Sequence, residues 1–162
     1  MEWNGLNNEN NENNIKSKIS KAGSLVLILC LALVGKVFGG YLYGVYSDST
    51  TKNTVVDILY QNLDEIRSSL PMVLDEYTTW EEVDFDGSAM LYSYTIKVSD
   101  LDDRDKSALI TEIRNTNTKP VCENPESAQI INTGIDYHYI YNDLNGSNIG
   151  SFVVSREICN SL

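Results

Sequence analysis

The single histidine of the chain, His138, is the first candidate for chemistry. It lies in a stretch that alternates like a β-strand. A general base at this position could activate one of several serines for hydrolysis. The sequence, however, contains no Gly-x-Ser-x-Gly nucleophile motif, and one histidine without a spare cysteine offers too few ligands for zinc. We therefore interpret His138 as an ordinary strand residue, and we predict no catalytic residue, no cofactor and no metal.

Two acidic clusters could bind a divalent cation. Residues 81–87 carry alternating acids before a glycine, as the start of an EF-hand does, but the twelfth loop position would be Ser93 instead of a bidentate glutamate. A hairpin turn explains this cluster better. A second run of four acids begins a predicted helix, where unpaired backbone amides stabilise negative charge without a ligand. Its members are Asp100, Asp102, Asp103 and Asp105.

Five tyrosines occupy alternate positions of two predicted strands. They are Tyr92, Tyr94, Tyr137, Tyr139 and Tyr141. If both strands join one sheet in register, the five rings gather on one face. We favour the interpretation that this face packs under helices with its hydroxyls at the rim. In the alternative, it is an exposed aromatic surface that binds a small ligand, a glycan or a peptide.

The charge balance narrows the range of partners. The chain has 162 residues and a formal charge of −11, with a pI near 4.4. Residues 47–162 contain 8 Lys and Arg against 20 Asp and Glu, so the acidity belongs to this segment. Such a surface repels nucleic acid and anionic lipid headgroups, and it favours basic partners.

An apolar segment over residues 22–46 predicts a transmembrane anchor. It contains Lys36, which lies away from the centre of the segment. A lysine at a helix centre costs about 2.5–3.5 kcal/mol for insertion, and the aliphatic residues 25–34 return about the same free energy. The alternative is the hydrophobic region of a cleaved signal peptide. Three lysines precede the segment (Lys16, Lys18 and Lys21), so residues 1–21 are predicted to be a disordered, Asn-rich cytoplasmic arm, and the rest is exported.

Glycines at four-residue spacing mark the predicted anchor. Gly35 and Gly39 form one such pair, and Gly40 and Gly44 form another. Small residues at this spacing let membrane helices approach closely. One interpretation is homo-oligomerisation through the anchor; the other, which we favour, is that glycine is simply common in membrane helices.

Cys122 and Cys159 are the only cysteines outside the apolar run. A pair of cysteines in a small exported domain predicts a disulfide, which would stabilise the domain by about 3–4 kcal/mol for a loop of this length. Two free buried thiols are the alternative if the domain is cytoplasmic.

Hydrophobic periodicity predicts the order α-β-β-α-α-β-β after residue 46. Apolar residues recur at helical spacing over 53–70, and strands over 77–85 and 90–98 flank the Asp86-Gly87 turn. A helix over 101–116 follows, and Asn124-Pro125 begins a short helix that ends before Gly134. Two further strands flank a turn at residues 143–146. We predict an α+β domain over 47–162, with an antiparallel sheet of about four strands and helices packed on it.

The spacing of these features resembles a family of small, uncharacterised bacterial single-pass membrane proteins. The resemblance covers residues 53–160 and depends on Leu70-Pro71-Met72-Val73, Cys122-x-Asn124-Pro125, the Tyr-rich hairpin and Cys159. It implies one inner-membrane helix and an exported, disulfide-bonded domain. It implies no activity.

These features together predict a membrane-tethered, noncatalytic interaction module in an envelope assembly. Its predicted partners are the lipid bilayer, through residues 22–46, and an envelope protein, without nucleic acid. One alternative is a ligand-binding domain that uses the tyrosine face. An envelope hydrolase is the other alternative, and it would require a pocket that holds His138 beside a serine and a carboxylate.

Overall fold

The computed structural model describes residues 52–98 and 101–162. Four helices and five strands follow one another in this part of the chain. In chain order they are α1 (Lys52–Ser68), β1 (Met72–Val73), β2 (Thr78–Phe85), β3 (Ala89–Ile96), α2 (Asp103–Glu123), α3 (Pro125–Asn132), β4 (Asp136–Asn142), β5 (Asn148–Val154) and α4 (Arg156–Asn160). The predicted α+β class is therefore confirmed, and both predicted hairpins are present.

The prediction of an antiparallel, four-stranded sheet was wrong in two respects. The sheet has five strands in the order β1-β2-β3-β4-β5, and its central pair, β3 and β4, is parallel, with Tyr92 opposite Tyr139. The remaining pairs are antiparallel. Between Ile96 and Asp136 the chain forms two helices, and a connection of this length returns it to the same end of the sheet. The two hairpins therefore join through a crossover.

Helix α1 buries the apolar stripe that its sequence pattern predicts. Val55, Leu59, Leu63 and Ile66 recur at three- and four-residue steps, and all four are buried. Tyr60 of the same helix is half-exposed and packs edge-to-face against Phe85 of β2, with their ring centroids 5.1 Å apart. This contact places α1 over β2.

Helix α2 covers the opposite end of the same sheet face. Its Ile110 lies over Gly150 of β5, so close that a Cβ at this glycine would lie 2.7 Å from Cγ1 of the isoleucine. Asp102 caps α2 by accepting a hydrogen bond from the Asp105 amide, and the helix extends beyond the predicted end at residue 116, where Val121 is fully buried.

Candidate functional site

The five tyrosines lie inside the domain. Each has only 2–5% of its surface exposed, and the rings form a continuous stack between the sheet and the helices. Tyr139 contacts Tyr92 at 5.3 Å and Phe152 at 4.9 Å between ring centroids, and Tyr94 contacts Tyr141 at 5.1 Å. The tyrosine face therefore packs under the helices, which is the interpretation that we favoured from the sequence. These rings present no open surface to a ligand.

The opposite side of the sheet is the surface that none of the described helices covers. Strand residues that alternate with the buried rings point to this side. We call it the open face and define it by two neighbouring rows of paired residues. These are Asp84, Leu91, His138 and Val153 in one row, and Glu82, Ser93, Ile140 and Ser151 in the other.

Side chains on the open face combine an aliphatic centre with an acidic border. Leu91, Ile140 and Val153 are half-buried, whereas Glu82 and Asp84 on β2 are exposed. Strands in a sheet are about 4.8 Å apart. The acids on β2 therefore lie within about 10 Å of the aliphatic centre, which spans β3 to β5.

Positive charge is segregated from the strands. Seven of the eight Lys and Arg residues in the described ranges lie in helices, and the eighth, Lys97, directly follows β3. Helix α2 contains four cations and four acids, so its formal charge is zero. The strands contain only acids, namely Glu81, Glu82, Asp84 and Asp136. The helical layer is thus nearly neutral, and the sheet layer is acidic.

Side chains occupy hydrogen-bonding carbonyls along the edge of β2. Strand β1 covers only the first part of β2, where Met72 pairs with Trp80. Beyond that point, the Trp80 indole donates to the carbonyl of Glu82 at 3.0 Å, and the Arg67 guanidinium donates to the carbonyl of Val83 at 3.2 Å. Arg67 also pairs with the Asp84 carboxylate. These groups satisfy carbonyls that an unpaired edge would offer to another strand.

His138 lies in the middle of the open face, where it pairs with Leu91 on one side and Val153 on the other. Both direct neighbours are aliphatic, and within the described ranges no hydrogen bond to the imidazole is formed. The arrangement that a hydrolase would need, with a serine hydroxyl and a carboxylate bonded to this histidine, is not assembled by these residues.

The acidic residues near the β2–β3 turn are explained by the turn. The Asp86 carboxylate accepts hydrogen bonds from the Ser88 amide, the Ser88 hydroxyl and the Ala89 amide, each at 2.8 Å. These hydrogen bonds lower the pKa of Asp86 below its ordinary value, and the bond from the Ser88 amide has the largest effect. Among the residues of known position, three or more His, Cys, Asp or Glu side chains do not come together in a metal-holding group.

A buried polar group lies on the helical side, at the start of α3. Burial raises the pKa of Tyr137, and its hydroxyl lacks a well-formed hydrogen bond within the described part of the chain, although Ser127 and Tyr92 lie beside it. Burial also raises the pKa of the nearby Glu126 carboxyl, one oxygen of which is buried without a partner there. The group is internal, and it does not open onto the open face.

Cys122 and Cys159 form the predicted disulfide, with their Cα atoms 5.4 Å apart. The bridge joins the last turn of α2 to helix α4. Helix α4 was not predicted from the sequence; Ser155 caps it by accepting a hydrogen bond from the Ile158 amide. The disulfide thus fastens the C-terminus to the helical layer.

The predictions for the N-terminal segment concern residues outside the described ranges. They comprise the arm 1–21, the anchor 22–46 and the glycine pairs Gly35/Gly39 and Gly40/Gly44. Within 52–98 and 101–162, no helix is both long enough and apolar enough to span a membrane.

The open face was not predicted from the sequence. Its residues alternate with the tyrosines, so the pattern that identified one face also contained the other. The missing information was the pairing across strands, which brings Glu82 beside Ser93 and His138 beside Leu91.

Two solved structures share this fold. A protein from Pseudomonas aeruginosa, described as secreted, has a TM-score of 0.55 at 13% identity, over 68% of this chain and 98% of its own. The type 2 secretion system pilotin EpsS from Vibrio vulnificus has a TM-score of 0.53 at 12% identity, over 67% of this chain and 94% of its own. At such identity the likeness shows the fold alone. No protein-family model matches the sequence, and no curated protein matches it either.

Proposed function

We propose that this chain is a membrane-tethered, noncatalytic interaction module of an envelope-associated assembly. In this proposal residues 22–46 anchor the chain in the inner membrane as a single pass, residues 1–21 lie in the cytoplasm, and the domain that follows lies in the periplasm or an equivalent compartment. The chain would be one of the bacterial single-pass membrane proteins that it resembles. Its protein partner is a component of the envelope, and the glycine pairs support self-association of the anchor.

The observation that carries this proposal is the shared fold. Almost the whole length of a type 2 secretion pilotin, 94% of that chain, superposes on the described domain. The disulfide supports an extracytoplasmic location, because such bonds persist in oxidising compartments and are rare in the cytosol. The lysines before residue 22 support the orientation of the anchor.

Location can be tested with the native cysteines in intact cells. We expect the full chain in the membrane fraction, with Cys122 and Cys159 resistant to alkylation until a reductant is added. A control with both cysteines replaced by serine should show no reductant-dependent labelling of the domain. Recovery of the chain in the cytosol with both thiols freely alkylated would overturn the proposal.

Partnership can be tested by chemical crosslinking of the tagged full chain in cells. The matched control keeps residues 1–51 and replaces the remainder with an unrelated exported domain. We expect an envelope protein to be captured by the full chain and not by the control. Identical captures by both chains would show that the domain recruits no partner.

A further inference from the structure

We propose that the open face docks a cationic, amphipathic segment of a partner protein. This inference rests on the proposed function, because it identifies the surface through which the tethered domain would contact its envelope partner. It commits to a polypeptide with a row of aliphatic side chains flanked by Lys or Arg.

The aliphatic centre supplies the first part of the argument. Leu91 and Val153 flank His138 in one row, and Ile140 lies between two serines in the next. These aliphatic side chains are half-buried in the domain itself, and the serines beside them are small. Together with His138 and the two serines, they form a partly aliphatic strip across β3, β4 and β5, about 10 Å wide at the usual strand spacing.

Charge complementarity supplies the second part. The outward positions on β2 hold Glu82 and Asp84, and Asp136 is at the start of β4. Arg67 pairs with Asp84 at the sheet edge, so Glu82 and Asp136 are the acids that remain for a partner. A segment lying on the strip would bring its flanking cations close to these carboxylates, and their attraction would favour the correct orientation.

The acidic residues of the strands also make other ligands of the open face unfavourable. Nucleic acid and anionic bilayers would both meet an acidic layer without Lys or Arg in its strands. A second copy of this domain would place two acidic faces against each other, and like charges in an interface are unfavourable. A basic polypeptide is the occupant that both the strip and its border fit.

The test uses a photo-crosslinking amino acid in the full chain, in the cells that produce it. One probe replaces the exposed Ser151 on the open face, and the matched probe replaces the exposed Thr111 on helix α2. The crosslinked segment is identified by mass spectrometry. We expect the Ser151 probe to label a segment with a net positive charge and alternating or helical aliphatic residues.

A pair of charge-reversal variants tests the electrostatic part. Glu82→Lys with Asp136→Lys should lower the yield of the Ser151 adduct by about tenfold, since each lost attraction becomes a repulsion. The control, Glu65→Lys with Glu112→Lys, makes the same change in net charge on the helical layer and should leave the yield within about twofold. Circular dichroism of both purified variants verifies that they remain folded.

Each outcome decides a different claim. An acidic or neutral segment, a lipid or a second copy at the Ser151 probe overturns the inference, as does an equal loss of yield in both variants. If only the Thr111 probe labels an envelope protein, the inference fails and the proposed function stands. If neither probe labels a protein, both fail.

Discussion

The two faces of the sheet consist of adjacent residues of the same strands, yet they differ in what their side chains contact. On the buried face, Tyr139 lies against other aromatic rings and has 5% of its surface exposed. Its neighbour Ile140 points the other way, onto a surface that the described helices leave open. One face holds the fold together, and the other is the one that we propose for recognition. A single alternating pattern can therefore encode both a packed core face and an uncovered face of the same sheet.

The charge distribution follows the same division. Cations lie in the helical layer, where they balance acids along α2, and the strands contain acids without cations. Composition alone gives only the net charge. The position of the charge relative to the sheet gives the open face its expected preference for a basic partner.

The largest expected effect distinguishes the two faces directly. Replacing Tyr139 with alanine should lower the free energy of unfolding by about 3–5 kcal/mol, because the loss of a buried ring leaves a cavity within the stack. The matched change Ile140→Ala, one residue away on the open face, should cost about 1 kcal/mol or less. Urea unfolding of the full chain in detergent, followed by tryptophan fluorescence, measures both. Equal losses would show that the open face is packed as tightly as the buried one.

Removal of the disulfide tests whether the helical layer depends on it. Replacing both Cys122 and Cys159 with serine should lower the free energy of unfolding by about 3–4 kcal/mol, since the bridge spans a sequence separation of 37 residues and restricts the unfolded chain. The measurement is urea unfolding under oxidising conditions, with reduced wild type as the control. The reduced wild type should behave like the variant. A variant as stable as the oxidised wild type would contradict the role given to the bridge.

A smaller effect is expected where β5 meets α2. Gly150→Ala would place a Cβ 2.7 Å from Cγ1 of Ile110, at a φ of +156° that residues with side chains rarely adopt. Overpacking of this kind alone costs about 1–3 kcal/mol. Ser151→Ala, on the open face of the same strand, should change the stability by about 0.5 kcal/mol or less. The thermal unfolding midpoint of each variant provides the comparison.

A double variant identifies the source of the Gly150 effect. Adding Ile110→Ala removes the Cγ1 and Cδ1 atoms that the new methyl group would meet and leaves only Cβ, at an ordinary 3.5 Å, so the double variant should be less destabilised than the sum of the two single changes. Strict additivity would instead attribute the loss to the backbone of β5.

The sequence was sufficient for the local elements of this fold. The period of α1, the alternation in both hairpins and the Asn124-Pro125 start of α3 each depend on nearby residues, and the structure confirms them. In α3 the Asn124 side chain accepts hydrogen bonds from the amides of Glu126 and Ser127, as the predicted cap requires.

The arrangement of the hairpins was not predictable from these local signals. The crossover between Ile96 and Asp136 contains the two helices that the sequence predicts, but the periodicity of a helix does not indicate which end of the sheet the chain reaches. Strand β1 has two residues and helix α4 has five, too few to show a period. The open face depends on the same long-range pairing, because Leu91 and His138 become neighbours only when β3 and β4 lie parallel.

The smallest effect compares carboxylates on the two sides of the sheet. Glu126 lies on the helical side with one oxygen buried, and burial raises its pKa, so ionisation costs the folded state more than the unfolded state. Glu126→Gln should therefore raise the free energy of unfolding at neutral pH by about 0.5 kcal/mol. The gain should disappear as the pH falls below about 4, where the wild-type carboxyl is protonated in both states. The exposed Glu82→Gln on the open face should give no gain at either pH. Lower stability of Glu126→Gln at neutral pH would mean that attraction to the first turn of α3 outweighs the burial of the charge.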